Sequence, residues 1–385
     1  MPYRFGTFNV WGIPETFGDD VSSRMRGLAS RLPDLDLDIL LIQEAWTDEV
    51  RDTLHEAARV SGFEVAEGAS SNGGLMVLSR LPILESRFEG FWFRGDPERL
   101  AQGEFLGGKG FQTLRIAGAD GVLSVFNTHL HARYRRSRPQ LNSAVRTAQL
   151  LQIIGAMHDL DETVVVGGDF NFAREDVEYR IFNGLTRATE LADGRGYPTL
   201  AKSNFYKRGR TGADKRIDYL FVRPAWGKNL KPIAAGLLFA EPEKIRRRNR
   251  SLSDHYGFRA AFDLESPPSP GIQSGFSELD PQIFDLARVL LDVGREEADR
   301  RERAHFRSAG GWAIGAVLAA GLRRHPALDR RRFLQSSAGV LALLALAPAI
   351  GYGTLARIDS DSKRSAFDDA YGILAQLEAR PNGSA

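Results

Sequence analysis

The chain has 385 residues, of which 43% are hydrophobic and 26% are charged, and this composition excludes disorder over most of its length. Its 51 Lys and Arg residues against 49 Asp and Glu residues leave a net charge of +2, so no overall field recruits nucleic acid or an anionic membrane. The absence of cysteine excludes disulfides, thiolate zinc sites and cysteine nucleophiles, and leaves hard, oxygen-bound metals open.

An alternation of apolar and polar residues begins at Tyr3 and predicts a strand at the amino terminus, without the apolar core of a signal peptide. Short apolar runs separated by Gly, Pro and Asp predict further strands. The predicted strands are residues 3–10, 38–43, 74–79, 111–116, 121–128, 163–168, 217–222, 233–239 and 257–263. Apolar residues recur at helical spacing from Leu141 to Leu151 and predict a helix. This pattern indicates one α/β domain over residues 1–264, which we expect to start in the cytoplasm.

A Pro-, Ser- and Gly-rich segment, residues 265–279, predicts a linker because it can hold neither a helix nor a central strand. Asp280 can cap a new helix that has Pro281 in its first turn. We therefore expect a helical tail over residues 280–385.

The tail contains two uncharged apolar stretches of different strength. Residues 308–322 are shorter than the ~20 residues that span a bilayer, whereas residues 336–356 are long enough. Five arginines lie between them in residues 323–332, and the positive-inside tendency places this loop in the cytoplasm. We expect one membrane span through residues 336–356, with residues 357–385 on the far side. The alternatives are a hairpin in which both stretches cross the bilayer, and two core helices of a small helical domain.

Six short segments at the ends of predicted strands concentrate acids, amides and histidines. They are residues 8–14, 41–46, 127–132, 167–172, 216–219 and 253–255. Each segment alone is explained by a turn or by a hydrogen-bonded polar residue. Together, and in this order, they resemble the endonuclease/exonuclease/phosphatase superfamily over residues 5–258.

Within that superfamily the chain is most similar to the neutral sphingomyelinases. The similar segments are residues 9–14, 43–46, 108–110 and 128–132, with Tyr134. The resemblance implies a two-layered β-sandwich flanked by helices, the DNase-like four-layer α/β/β/α arrangement. It also implies a carboxy-terminal helical region that anchors the chain to a membrane.

The chemistry implied by the resemblance is metal-assisted hydrolysis of a phosphodiester. Such a reaction needs a cation for the charge on the phosphoryl group, a base for water and donors to the phosphoryl oxygens. By resemblance, Glu44 holds Mg²⁺, and Asn9 and Asp254 are the further ligands, with Mn²⁺ as the alternative ion. Few protein ligands are needed because Mg²⁺ keeps several waters.

The resemblance also assigns the catalytic roles. His255 is the general base, and Asp218 holds its imidazole in one tautomer. Asp169 orients the attacking water, and Asn171 donates to a phosphoryl oxygen. His129 donates to the phosphate from the opposite side.

Substrate binding is predicted for Lys109 and Tyr134. The aromatic and glycine-rich residues 88–111 fit insertion at a membrane interface, or a lid on an apolar substrate, or in part the core. Two arginine clusters, residues 133–138 and 246–250, flank the predicted site and fit either nucleic-acid phosphates or acidic headgroups, or are solvated loops.

The first functional hypothesis is a membrane-associated phosphodiesterase acting on a sphingolipid or phospholipid. The second is a nuclease or phosphatase of the same superfamily, acting on nucleic acid or a phosphorylated small molecule. The third is a catalytically silent, membrane-anchored binding module. No obligate protein partner is predicted.

Overall fold

The computed structural model of the chain describes residues 2–67, 73–93, 107–133, 139–192, 194–266, 280–324 and 332–379. Two six-stranded mixed sheets form its centre. In spatial order the first sheet contains β11 (Asn229–Leu238), β14 (Gly257–Glu265), β1 (Tyr3–Gly12), β2 (Ile39–Ala45), β4 (Met76–Ser79) and β3 (Glu64–Glu67). The second contains β5 (Ile83–Gly90), β6 (Gly110–Gly118), β7 (Gly121–His129), β8 (Thr163–Asp169), β10 (Asp218–Arg223) and β9 (Thr189–Glu190). Strands β12 (Glu243–Ile245) and β13 (Arg248–Arg250) form a separate hairpin.

The sheets pack face to face, and helices cover their outer faces. Leu41 of the first sheet and Val165 of the second are fully buried in the core between the sheets. Helices α1 (Val21–Ala29) and α2 (Asp48–Val60) pack on the first sheet. Helices α3 (Pro139–His158) and α4 (Val177–Thr186) pack on the second. The result is the predicted four-layer α/β/β/α sandwich.

Parallel pairing in the centre of each sheet positions the polar segments. β1 pairs in parallel with β2, and β7 with β8, so the carboxyl ends of these four strands meet at one edge of the sandwich. In the second sheet His129 pairs with Asp169, and antiparallel β10 places Asp218 opposite Asp169. The chain therefore brings its carboxylates and histidines together at the ends of buried strands.

All nine predicted strands correspond to observed strands. Short or half-exposed strands were not predicted, and these are β3, β5, β9, β12 and β13. In the aromatic segment, Phe91, Phe93 and Phe111 are buried, so for these three side chains the core alternative is correct and membrane insertion is wrong. Residues 94–106 of that segment lie outside the described residues.

The tail forms two long antiparallel helices, α5 (Pro281–Arg323) and α6 (Arg332–Ala379). As predicted, Asp280 caps α5, since its carboxylate accepts a hydrogen bond from the backbone N–H of Gln282 at 2.9 Å. Ion pairs join the helices: Arg295 Nη2 lies 2.9 Å from Asp368 Oδ1, and Arg364 Nε lies 2.7 Å from Asp299 Oδ1. The predicted linker lies almost entirely outside the described residues, from residue 267 onward.

The base of this helical hairpin packs into the core outside the second sheet. Phe284 and Leu291 of α5, together with Phe367 and Leu374 of α6, are buried in the same apolar cluster as α3 and α4. Burial of Phe367 and Leu374 contradicts a tail that lies on the far side of a membrane from the sandwich. The expectation for residues 357–385 is therefore wrong within the described part of that segment.

The distal half of the hairpin is apolar and exposed. Its exposed large apolar side chains are Phe306, Trp312, Ile314, Val317, Leu318, Leu322, Val340, Leu341, Leu343, Leu344, Leu346, Ile350, Tyr352 and Ile358. Among the described helices, one segment, Ser336–Ala379, is long and apolar enough to cross a membrane.

Candidate active site

The Asn9 side chain joins the two sheets at the site. Asn9 Nδ2, at the end of β1, donates to Glu44 Oε1 at 2.9 Å and to Asp169 Oδ2 at 2.9 Å. Its Oδ1 accepts from the backbone N–H of Trp11 at 3.0 Å. Asn9 therefore holds the Glu44 and Asp169 carboxylates beside each other, and its role as a metal ligand stays a prediction.

His129 joins the same carboxylates. Its Nε2 lies 3.8 Å from Glu44 Oε1 and 3.6 Å from Asp169 Oδ2. One ligand atom from each of Glu44, His129 and Asp169 lies within 4.8 Å of the others, which is close enough for the three to share a metal ion. This placement adds Asp169 and His129 to the candidate metal ligands, in addition to the roles predicted for them.

A buried histidine–aspartate pair adjoins this group. His255 Nδ1 lies 3.0 Å from Asp218 Oδ2 and 4.0 Å from Asp169 Oδ2. Ser253 Oγ donates to the carbonyl oxygen of Asn9 at 2.6 Å and accepts from the backbone N–H of His255 at 3.3 Å. Ser253 thus ties the loop that carries His255 to the end of β1.

Burial and neighbouring charges shift the pKa values of three side chains in the site. Burial raises the pKa of Glu44, and the charge of Asp254 adds to the effect. Burial, together with the charge of Asp218, raises the pKa of Asp169 to about 7. Burial alone would lower the pKa of His255, but the charges of Asp218, Asp169 and Asp254 outweigh it and raise that pKa to about 10. The raised pKa values of Glu44 and Asp169 indicate that neighbouring positive charge does not fully compensate these two carboxylates. A hard divalent cation bound to their oxygens would supply that charge.

Two of the predicted site residues have a left-handed backbone. Glu44 has φ 61° and Asn171 has φ 54°, a conformation that costs a non-glycine residue roughly 1–3 kcal/mol. Gly168 lies in β8 and has φ 141°. A Cβ at this position would lie 1.9 Å from the carbonyl oxygen of Thr128 in the neighbouring strand β7. The fold thus accepts backbone strain and close strand contact to aim these side chains at the site.

Two predicted phosphate donors meet at one carbonyl. Asn171 Nδ2 donates to the carbonyl oxygen of Leu130 at 3.0 Å, and Lys109 Nζ donates to the same oxygen at 2.9 Å. Lys109 is therefore placed beside the site, as predicted for a substrate-binding residue. Tyr134 lies outside the described residues, as do residues 135–138 of the first arginine cluster.

Asp254 has a partner that the sequence did not indicate. Lys207 Nζ lies 2.6 Å from Asp254 Oδ2. Burial would raise the pKa of Asp254, but the charges of His255 and Lys207 hold it below its usual value. Lys207 belongs to no motif that could have identified it.

A buried arginine, Arg24, also escaped prediction. Its guanidinium donates to the carbonyl oxygens of Val10 at 2.8 Å, Leu252 at 3.0 Å and Trp11 at 2.8 Å. These carbonyls flank the segments that carry Asn9 and Asp254, so Arg24 fixes the separation of two predicted ligands. Its only sequence signal is a basic residue on the apolar face of α1.

Paired carboxylates, a buried histidine–aspartate pair and amide donors lie together on an α/β/β/α sandwich, a set of groups that could hold a divalent cation. Residues 6–255 match the Endonuclease/Exonuclease/phosphatase family, and the chain belongs to this family. The family assignment confirms the superfamily resemblance and makes the chain a member of a family of phosphodiesterase enzymes.

Curated relatives confirm the branch. A Drosophila melanogaster protein named as a neutral sphingomyelinase is 26% identical over 67% of this chain and 60% of its own length. An inositol phosphosphingolipids phospholipase C of Schizosaccharomyces pombe is 25% identical over 69% of this chain and 70% of that protein. Sphingomyelin phosphodiesterase 2 of Homo sapiens is 26% identical over 90% of this chain and 84% of that protein.

Solved structures confirm the fold. The structure of TDP2 of D. rerio, complexed with a single-strand DNA product, superposes with a TM-score of 0.55 at 20% identity. The superposition covers 68% of this chain and 99% of the TDP2 chain. A magnesium-bound variant of beta toxin from Staphylococcus aureus has a TM-score of 0.53 at 16% identity, with the same coverage of 68% and 99%. At these identities the likeness concerns architecture alone.

Proposed function

We propose that the chain is a Mg²⁺-dependent phosphodiesterase that hydrolyses the headgroup phosphodiester of a phosphosphingolipid or a related phospholipid. The carrying observation is the buried His255–Asp218 pair, 3.0 Å apart, set beside the carboxylates of Glu44 and Asp169. The names of the relatives, which act on sphingomyelin or inositol phosphosphingolipids, support the substrate class.

The donor set fits Mg²⁺, with Mn²⁺ as the alternative. Glu44 is the principal ligand, Asn9 and Asp254 are the further ligands proposed from the sequence, and Asp169 and His129 lie within reach of the same ion. When bound, the cation stabilises the negative charge that develops on the phosphoryl group and the leaving oxygen.

Proton transfer falls to His255. Its Nδ1–H donates to Asp218, so Nε2 is left to take a proton from water. The charges of Asp218, Asp169 and Asp254 raise the pKa of His255 to about 10, so a cation bound at Asp169 and Asp254 would lower that pKa and favour the basic form. Asn171 then donates to a phosphoryl oxygen from its fixed position beside Leu130.

Three arginines of the two clusters are engaged by acidic side chains of the protein. Arg246 and Arg250 both form ion pairs with Asp20, and Arg133 forms one with Asp176. These arginines are therefore held by acids of the fold. The substrate proposal accordingly rests on the catalytic site and the relatives and not on the basic residues.

We infer that the distal half of the α5–α6 hairpin attaches the enzyme to a membrane. Exposed apolar side chains occupy both helices at this end, whereas the base is held by ion pairs and by the core. Because the base of both helices packs on the sandwich, the hairpin enters the bilayer from the side of the catalytic domain. The arginines of residues 323–332 join the distal ends of the two helices in the chain, so their charge does not place the catalytic domain, and its cytoplasmic location stays a prediction.

The test is headgroup release by the purified full chain from vesicles containing sphingomyelin or an inositol phospholipid, with Mg²⁺ and with chelator. Plasmid and single-stranded DNA are assayed in parallel. His255→Ala removes the base, and Asp161→Asn, at an exposed position before β8, is the matched control. Lipid hydrolysis that needs Mg²⁺ and His255 supports the proposal. DNA cleavage without lipid turnover would assign the chain to the nuclease branch, and silence on every substrate would support a binding module.

A further inference from the structure

A hydrogen-bonded turn holds Lys207 next to the carboxylate of Asp254. It ends a short 3₁₀ helix, Phe205–Lys207, whose preceding residue Asn204 donates from Nδ2 to the carbonyl oxygen of Ser253 at 2.9 Å. The backbone N–H of Phe205 also donates to Ser251 Oγ at 3.0 Å. The turn is therefore fastened to the segment that carries Asp254, and its lysine has a fixed position.

The ammonium of Lys207 occupies one oxygen of Asp254. Nζ lies 2.6 Å from Oδ2, and the other oxygen, Oδ1, is contacted by Ser253 Oγ at the long distance of 3.4 Å. The Asp254 charge in turn acts on the partly buried Glu44 carboxylate, whose pKa it helps to raise. Lys207 thus supplies positive charge to Oδ2, one of the two Asp254 oxygens that could bind a cation.

A metal ion and an ammonium cannot share this oxygen at contact distance. A unit charge about 4 Å from a divalent ion costs several kcal/mol even at the effective dielectric of a protein surface. A cation that binds Asp254 through Oδ2 must therefore displace Lys207. The lysine side chain is 28% exposed, so it has room to turn towards solvent.

We propose that Lys207 is a built-in competitor of the divalent cation and sets the metal affinity of the site. The inference rests on the proposed function, because it requires Asp254 to be a metal ligand. Lys207 is then a positioning residue in the metal-free enzyme: it holds the Asp254 carboxylate in place and keeps the site from binding metal tightly at low concentration.

The test measures metal binding by isothermal titration of the full chain in detergent with Mg²⁺ and with Mn²⁺. Lys207→Met removes the charge and keeps the stem, Lys207→Arg keeps the charge, and Lys202→Met removes a charge from an exposed lysine nearby in the chain. The expected result is about tenfold tighter binding by Lys207→Met, with the other two variants within about threefold of the wild type. Thermal melting confirms that each variant is folded.

Metal binding by Asp254→Asn distinguishes a failure of the competition proposal from a failure of Asp254 as a ligand. If Asp254→Asn weakens binding but folded Lys207→Met binds no tighter than wild type, Asp254 is a ligand and the competition is wrong. If Asp254→Asn binds like wild type, Asp254 is not a ligand and the inference is wrong while a site based on Glu44 survives. If the wild type binds neither metal, the metal-dependent function and the inference both fail.

Discussion

Replacement of Asp218 by asparagine tests the electrostatics of the catalytic pair. The change keeps the shape of the side chain and removes the charge that faces His255 Nδ1 at 3.0 Å. Asp218 is the strongest of the carboxylates that raise the pKa of His255 to about 10, against 6.5 for the free side chain. Since Asp218 is fully buried, solvent does not screen the pair.

The stability consequence has a definite sign. His255 is charged in both states below pH 6.5, so its stabilisation of the metal-free fold is complete there and is lost as the pH rises through about 10. Within that window the loss is about 1.4 kcal/mol per pH unit, or about 2.7 kcal/mol between pH 7.5 and 9.5. In Asp218→Asn the folded-state pKa of His255 falls, and the loss over the same interval drops below about 1 kcal/mol.

The assay is urea unfolding of the full chain in detergent with chelator, at pH 7.5 and 9.5. This interval lies above the pKa of about 7 for Asp169, so that group does not contribute to the slope. Asp161→Asn is the control and keeps the wild-type slope. A slope for Asp218→Asn equal to that of the wild type would refute the reasoning. The same variant lowers kcat by ~10²- to 10⁴-fold, because its imidazole is no longer held as a base.

Four further outcomes are expected. Glu44→Gln abolishes the rise in melting temperature that Mg²⁺ produces, and a normal rise would exclude Glu44 as a ligand. In the wild type that rise grows with pH up to about 7 and then levels off, because protonated Asp169 competes with the metal; a rise equal at pH 5.5 and 8 contradicts this. Phe367→Ala lowers the free energy of unfolding by about 3–5 kcal/mol, and a loss under about 1 kcal/mol would show that α6 does not belong to the core. Replacing exposed Leu343 and Leu344 by glutamate reduces sedimentation with vesicles and leaves hydrolysis of a short-chain soluble substrate unchanged; unaltered vesicle binding argues against the membrane-attachment proposal.

The central strands and the polar residues at their carboxyl ends could be read from the sequence because local signals specify both. β8 is an apolar run that ends in Asp169, and β1 is an alternating, largely buried strand with Asn9 near its carboxyl end. Asn9 and Asp169 follow directly from those strand ends. Their contact at 2.9 Å needs only that the sheets pack with these ends together.

The residues that escaped prediction depend on contacts between distant segments. Arg24 and Lys207 look like ordinary surface cations, and only tertiary structure shows that one binds carbonyls of two separate loops and the other binds Asp254. The edge strand β5 is half-exposed and lacks an apolar run, so its pairing with β6 gives no strong local signal.

The tail shows how a local signal can be read correctly and still give the wrong topology. Hydropathy separates residues 308–322 from residues 336–356 and favours one span. Further along the chain, Phe367, Ala370, Leu374 and Leu377 recur at helical spacing and are buried, a pattern that a hydropathy window overlooks because charged residues interrupt it. Once that face packs on the sandwich, α6 must run antiparallel to α5 and both apolar stretches lie at the same end. The proposed membrane attachment would then be a property of the hairpin as a unit, since neither helix can leave the sandwich side without exposing the buried face of α6.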